Sequence, residues 1–427
     1  MSLFRSGFFI VLLLLLVTTA RSQQQPGSYE HLLQNKLDSM QLELSKLREE
    51  LDTLKNEVNY SRVEVDDLLS VFKEGDVASA SMETRSKRKR VDALLNVISQ
   101  QPGRLNFNGG ATSVFQGLCV NQENWDEHLS GSFDIFAHTS FGKGAILFID
   151  MEAIGGEGPD AAHPTFSGLN DDAGSTRAPD GVDRLTILEA WSEFSIFKGV
   201  IVVTAGKIDQ TNYFDINAAA NDETTQFLSS AFVNNASFAV PSNSAGLRMR
   251  TTLLNRYHFQ FGLSGIETPG VDNFYKIYKI GSLGWTFMPG SEFEANFRVY
   301  AYDYPLEEEA YGGGVSFDKV IFGAYNLFAR YGLNNDPMTA FWGIKYSWSA
   351  GASFVRDILG KPFAIGMAYG EQHTGKQEHS TEQIAELYFR AQFNQWIHLS
   401  PHVQRVWNAN GSADRFLVLG LRTHFNF

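Results

Sequence analysis

The chain has 427 residues, with 35 basic and 48 acidic side chains, a formal charge of −13, 43% hydrophobic residues, 13% aromatics and a single cysteine. One cysteine excludes a disulfide framework within the chain and a cysteine-based zinc site, and the acidic balance argues against a nucleic-acid binder. With 34 Phe, 15 Tyr and 7 Trp the composition also excludes collagen and wholesale disorder, which leaves a folded protein long enough for more than one unit.

The first element is an apolar run, residues 8–17, preceded by Arg5 and followed by Ala20 and Ser22. A short apolar core with small residues behind it is the pattern of a secretory signal peptide, here residues 1–22, with the mature chain expected from Gln23. An uncleaved anchor is the rival reading, and the run falls well short of the ~20 residues that a spanning helix needs.

Residues 30–73 read as a coiled coil. Apolar residues recur in steps of four and three from Leu33 through Leu37, Met40, Leu44, Leu47, Leu51, Leu54 and Val58 to Phe72, with Ser61 as the only break and no Gly or Pro. A period of 3.5 held this long specifies a left-handed supercoil. Leu37, Leu44, Leu51 and Val58 take position a, and Met40, Leu47 and Leu54 take position d. Glu43, Glu50 and Glu57 then fall at g, five residues ahead of Arg48, Lys55 and Arg62 at e, which is the charge pairing of a parallel homo-oligomer. Leucine at both a and d does not choose between dimer and trimer; a trimer is preferred because three self-closed units can bundle three stalks. Residues 74–103 read as a linker with a basic cluster at Arg85, Lys87, Arg88, Lys89 and Arg90.

From residue 104 to 427 the apolar period changes to two. Phe293, Ala295, Phe297, Val299 and Ala301 alternate with polar or aromatic neighbours in 292–302, and similar runs occupy 256–264 and 385–394. Ten-residue alternating segments behind an export signal, with Trp285, Trp342, Tyr346, Trp348, Trp396 and Trp407 near their ends, predict a transmembrane β-barrel. At about 20 residues per strand and turn, the length gives on the order of 16 antiparallel strands. The last segment places Leu417, Leu419, Leu421, Thr423, Phe425 and Phe427 on one face, and a strand closing on Phe resembles the assembly signal of Gram-negative outer-membrane proteins. Two long insertions, 155–182 and 208–243, are expected to be loops, one of them folded inward to narrow a pore.

No catalytic constellation emerges: the Ser, His and Asp residues are scattered, no G-x-S-x-G motif opens a helix, and His258 and His424 read as lumen lining. The acidic pairs Asp171, Asp172 and Asp222, Glu223 are read as solvated loop residues rather than calcium ligands, and no metal is expected. The candidate pore-lining set is Glu189, Trp191, Glu193, Lys207, Asp209, Asp215, Arg248, Arg250 and Arg298. Carboxylates and guanidiniums offer hydrogen bonds to hydroxyls, and an aromatic ring offers a flat surface to a sugar, a mixture suited to a neutral polyol. Cross-bracing of the barrel wall is the alternative role.

Several segments together carry a family resemblance: Leu188-Glu189-Ala190-Trp191 leading into Ala205-Gly206-Lys207-Ile208-Asp209, then Tyr213-Phe214-Asp215 with Asn217, Gln226-Phe227-Leu228, Leu399-Ser400-Pro401-His402-Val403-Gln404 and Leu419-Gly420-Leu421-Arg422. They resemble the OprB-type carbohydrate-selective porins, from about residue 105 onward. The resemblance implies an outer-membrane barrel of 16 strands that passes sugars by diffusion, without a cofactor or energy source. Simple members begin almost directly with the barrel, whereas this chain places a coiled coil ahead of it, as envelope-tethered porins of cyanobacterial type do. Their cell-wall-binding module is not found between Gln23 and Leu33. The expectation is therefore an outer-membrane porin for small hydrophilic solutes, in contact with outer-membrane lipid, with its coiled coil in the periplasm. A structural envelope anchor or spacer, or a general ion-conducting porin, is the alternative.

Overall fold

The structure, a computed structural model, describes residues 105–427 apart from 142–144, 175–184, 198–199, 267–275, 359–360 and single positions 377, 379 and 395. The signal peptide, the coiled coil and the linker expected from sequence lie outside the described residues. The strands are β1 (Asn106–Val120), β2 (Trp125–Ser140), β3 (Ala145–Gly156), β4 (Leu185–Ile196), β5 (Ile201–Ile208), β6 (Ser244–Leu253), β7 (Tyr257–Gly265) and β8 (Ile277–Phe287). They continue with β9 (Ala295–Pro305), β10 (Glu309–Ile321), β11 (Tyr325–Asn334), β12 (Tyr346–Ile358), β13 (Lys361–His373), β14 (Glu382–Gln392), β15 (Ile397–Trp407) and β16 (Arg415–Asn426). Each pairs antiparallel with its neighbours in sequence, and β1 pairs with β16, so all 16 form one closed barrel.

The period of two sets which residues face out. On β9, Phe297 and Val299 are 41% and 40% exposed, whereas Asn296 and Tyr300 are 4% and 3% exposed. The same alternation runs through β11, where Tyr325, Leu327, Tyr331 and Leu333 face outward and Asn326, Arg330 and Asn334 face inward. A continuous apolar outer wall of this extent is not a soluble surface. The boundaries expected from sequence shift slightly. Residues 292–294 form the turn before β9, where Phe293 packs edge-on against Phe322, and β14 begins at Glu382 rather than Ala385.

Connections at the two rims differ. One rim holds the short connections 141–144, 197–200, 254–256, 288–294, 322–324, 359–360 and 393–396, together with the start of β1 and the end of β16. The other holds 121–124 and 306–308 together with all the long connections, above all 157–184 and 209–243, which match the two insertions expected from sequence to within two residues. Barrels of this kind keep short turns on the periplasmic side and long loops outside. Trp285 and Trp396 stand at the short-turn rim, and Trp342, Tyr346, Trp348 and Trp407 at the long-loop rim, so the aromatic residues singled out from sequence divide between two girdles.

Gly206 shows how the wall admits bulk inside. Its φ is +141°, and a Cβ there would sit 2.3 Å from the Ala190 carbonyl oxygen and 2.6 Å from the Trp191 Cα. Only glycine lets β5 approach β4 this closely at the level where Trp191 turns inward.

Candidate functional site

Both long connections fold into the barrel, and the walls hold them there through charged groups. From the 209–243 connection, Asp215 forms a fully buried ion pair of 3.0 Å with Arg330 of β11. The Arg330 guanidinium also donates to the carbonyl oxygens of Phe232 (2.6 Å), Ala220 (2.6 Å), Asp215 (3.0 Å) and Val233 (3.2 Å). Arg422 of β16 donates to the carbonyls of Glu223 and Gln226, and Glu386 of β14 accepts from the amides of Leu228 (2.7 Å) and Ser229 (2.9 Å). On the other side of the barrel, Arg298 of β9 donates to the Ile216 carbonyl (3.0 Å) and pairs with Asp318 (2.6 Å), while Tyr302 bridges the Ala239 amide and Ser237 carbonyl.

The 157–174 segment uses the same devices. Glu382 accepts from the amides of Phe166 (3.0 Å) and Ser167 (2.7 Å), and Gln404 donates to the Leu169 carbonyl at 2.9 Å. The two inward loops bind each other through Ala231 N to Ser167 O (2.8 Å), Asp171 N to Leu228 O (2.9 Å) and Ser230 N to Gly168 O (3.1 Å). Apolar packing adds to this. Leu169, Phe227, Phe232 and Ala219 from the loops pack against Leu118, Ile384, Tyr388, Val406 and Val418 on inward positions of the wall. A second cluster sets Tyr213, Phe214 and Phe238 against Phe148, Trp191, Tyr278, Tyr300 and Tyr302. Loop-covered inward positions therefore hold both core residues, such as Ile384 and Val406, and charged clamps, such as Arg330 and Glu386.

Most of the candidate residues converge on the start of the longer loop. Glu189 accepts from Trp191 Nε1 (3.0 Å), Asn212 Nδ2 (2.7 Å) and the Asp209 amide (3.3 Å), and Asp209 caps the turn that follows β5 by accepting from the Thr211 amide at 2.8 Å. Arg248 pairs with Glu193 at 3.6 Å, donates twice to Gln260 Oε1 (2.9 and 2.6 Å) and lies 4.2 Å above the Tyr213 ring. Arg250 shares the inward face of β6 with Arg248.

Three expectations change. Lys207 does not face the lumen: Thr204 and Ile208 take the inward positions of β5, and the Lys207 ammonium donates outside to the Ile187 carbonyl at 2.7 Å. Trp191 does not offer a ring face to a solute, because it is 2% exposed and stacked on Phe148 with ring centroids 4.8 Å apart. Asp172 and Asp222 are buried rather than solvated; Asp222 caps a turn by accepting from the Thr224 amide and hydroxyl. Burial pushes the Asp172 carboxyl up to about 8, with the nearby Glu223, Asp134 and Glu152 adding to the shift and a 2.8 Å hydrogen bond from Ser132 opposing it.

His258 and His424 both face inward as expected, bonded to Thr286 (2.8 Å) and Thr112 (2.9 Å). His398 and His402 have the i, i+4 spacing that would mark a zinc pair on a helix, but they lie on strand β15, and no group of three or more His, Cys, Asp or Glu among the described residues is arranged to hold a metal ion. Sequence reasoning gave no role to Arg330, Glu382, Glu386, Tyr302 or Arg422. Their signal is a polar residue at an inward position within an apolar strand, as in Phe328-Ala329-Arg330-Tyr331.

The barrel has solved counterparts. The high-pH structure of Pseudomonas putida OprB superposes with a TM-score of 0.62 at 15% identity, covering 76% of this chain and 94% of that one. The low-pH structure of the same protein gives 0.52 at 12% identity, covering 80% and 99%. The fold is that of OprB. Residues 299–427, from within β9 to the end of the barrel, also match the model of the family described as carbohydrate-selective porin, OprB family. An uncharacterized protein of Aquifex aeolicus (strain VF5) is 27% identical over 298 residues, 70% of this chain and 84% of that one.

Proposed function

We propose that this protein is an outer-membrane porin through which small hydrophilic solutes, sugars foremost, diffuse passively, and that it is not an enzyme. The observation that carries the reading is the closed barrel of 16 strands with an apolar outer wall and a polar, loop-narrowed interior, in the fold of OprB. The match of its last eight strands to the carbohydrate-selective family supports sugars as the solute class. In this reading Glu189, Glu193, Asp209, Asp215, Arg248 and Arg298 shape the constriction by holding the loop, Trp191 backs it, and Arg250 meets the solute. Residues 1–22 direct export, residues 30–73 form a periplasmic parallel trimer, residues 74–103 link it to the barrel, and the apolar wall contacts outer-membrane lipid.

The test is a planar-bilayer recording of the purified protein. Stepwise channels that maltose or glucose partly blocks are the expected result. A second reading, an envelope anchor whose barrel carries little traffic, draws on the dense packing of both loops inside the wall. A purified barrel that inserts and never conducts would favour that reading and end the first.

A further inference from the structure

Arg248, Arg298, Arg330 and Arg422 each commit their guanidinium to a carboxylate or to loop carbonyls. Arg250 differs. It is half-buried on the inward face of β6, its side chain has neither a hydrogen bond nor an ion pair among the described residues, and its Nε is closed off from solvent with no acceptor. It stands two residues nearer the short-turn rim than Arg248, level with Val202 on β5 and Gln260 on β7, and Ser282 follows on β8. One rung closer to the rim lie Thr252, His258, Gly284 and Arg298.

These two rungs contain no carboxylate from β5 to β9, and Arg298 already pairs with Asp318 at 2.6 Å. The Gln260 amide is also engaged, accepting from Arg248 and donating to the Tyr213 carbonyl at 3.2 Å. Arg250 thus carries a local positive charge that nothing described on the wall balances. The two Nη groups of Arg250 are neither enclosed like its Nε nor bonded, and the planar fork of a guanidinium matches a carboxylate with two parallel bonds. Ser282, two strands away on the same rung, adds a hydroxyl to this wall.

We propose that Arg250 is the solute-selecting residue of the channel and favours sugars that bear a carboxylate over neutral sugars. This rests on the porin reading and sharpens its solute class. Proteoliposomes carrying the full-length protein are challenged with isotonic glucuronate and, separately, glucose, for the wild type and for R250Q, R250K and R248Q. R250Q is expected to lower the glucuronate-to-glucose swelling ratio several-fold and R250K to restore it, while R248Q, which loosens the loop, changes both rates together. The reversal potential across a potassium chloride gradient should shift toward cations in R250Q. An unchanged swelling ratio in R250Q with normal glucose uptake overturns this proposal and leaves the porin intact; a wild type that passes neither solute overturns both. Retained resistance to protease in R250Q confirms that the barrel has assembled.

Discussion

Asp172 is enclosed between a barrel wall and two loops, with Ser132 as its hydrogen-bond donor and Glu223, Asp134 and Glu152 close enough to disfavour its charge. Its folded pKa of about 8 lies above the ordinary carboxylate value of about 3.9, so the folded state holds a proton that the unfolded chain gives up. The sign follows: this contribution to stability is complete in acid, falls as pH rises from about 4, and levels off once pH passes about 8. Asp172→Asn keeps the shape and removes the titration. The loop in D172N is therefore expected to resist proteolysis more than wild type at pH 8 and equally at pH 4; equal resistance at both would show that Asp172 does not titrate in this way. At this scale the sequence was partly legible. The inward register of Glu189, Glu193, Arg248 and Arg298 followed from alternation, but on β5, only eight residues long, polarity alone sent Lys207 to the wrong side. Asp172 was misread because a carboxylate in a Gly- and Asp-rich insertion looks solvated until the fold encloses it.

The inward loops are the elements that decide how much lumen remains. The buried Asp215–Arg330 pair is held by additional loop carbonyls, and removing one partner alone strands the other charge, at a cost of about 3–5 kcal/mol. Replacing residues 212–240 with a short Gly-Ser connection is expected to raise single-channel conductance several-fold, since the strands pair without the loop. Unaltered conductance would show that the constriction lies elsewhere. The strands themselves were readable because outward-facing positions are mostly apolar or aromatic, as along Tyr257, Phe259 and Phe261 of β7. Strand ends were less so. Ile384 on β14 breaks the polar inner pattern because it packs against the loops, and that reason exists only once the chain is folded. Gln226, Phe227 and Leu228 carried a family resemblance, yet their work as the clamp met by Arg422 and Glu386 is three-dimensional.

At the scale of the whole molecule the heptad seam and the barrel make separate claims. The barrel closes on itself, and in the proposed reading assembly of several chains falls to residues 30–73. A peptide covering those residues is expected to sediment as a trimer, and a monomer at all concentrations would remove the stalk as the source of oligomerisation. The β1–β16 seam has another consequence. Thr112 and His424, bonded across it, lie 312 residues apart in sequence, and β1 has no second partner until β16 has been made. Loop closure over such a distance is slow and leaves an apolar strand edge uncovered in the meantime. The ribosome therefore cannot hand over a finished barrel in stages from the N-terminus. Until β16 has been made the barrel stays unsealed, and β16 acts as its clasp.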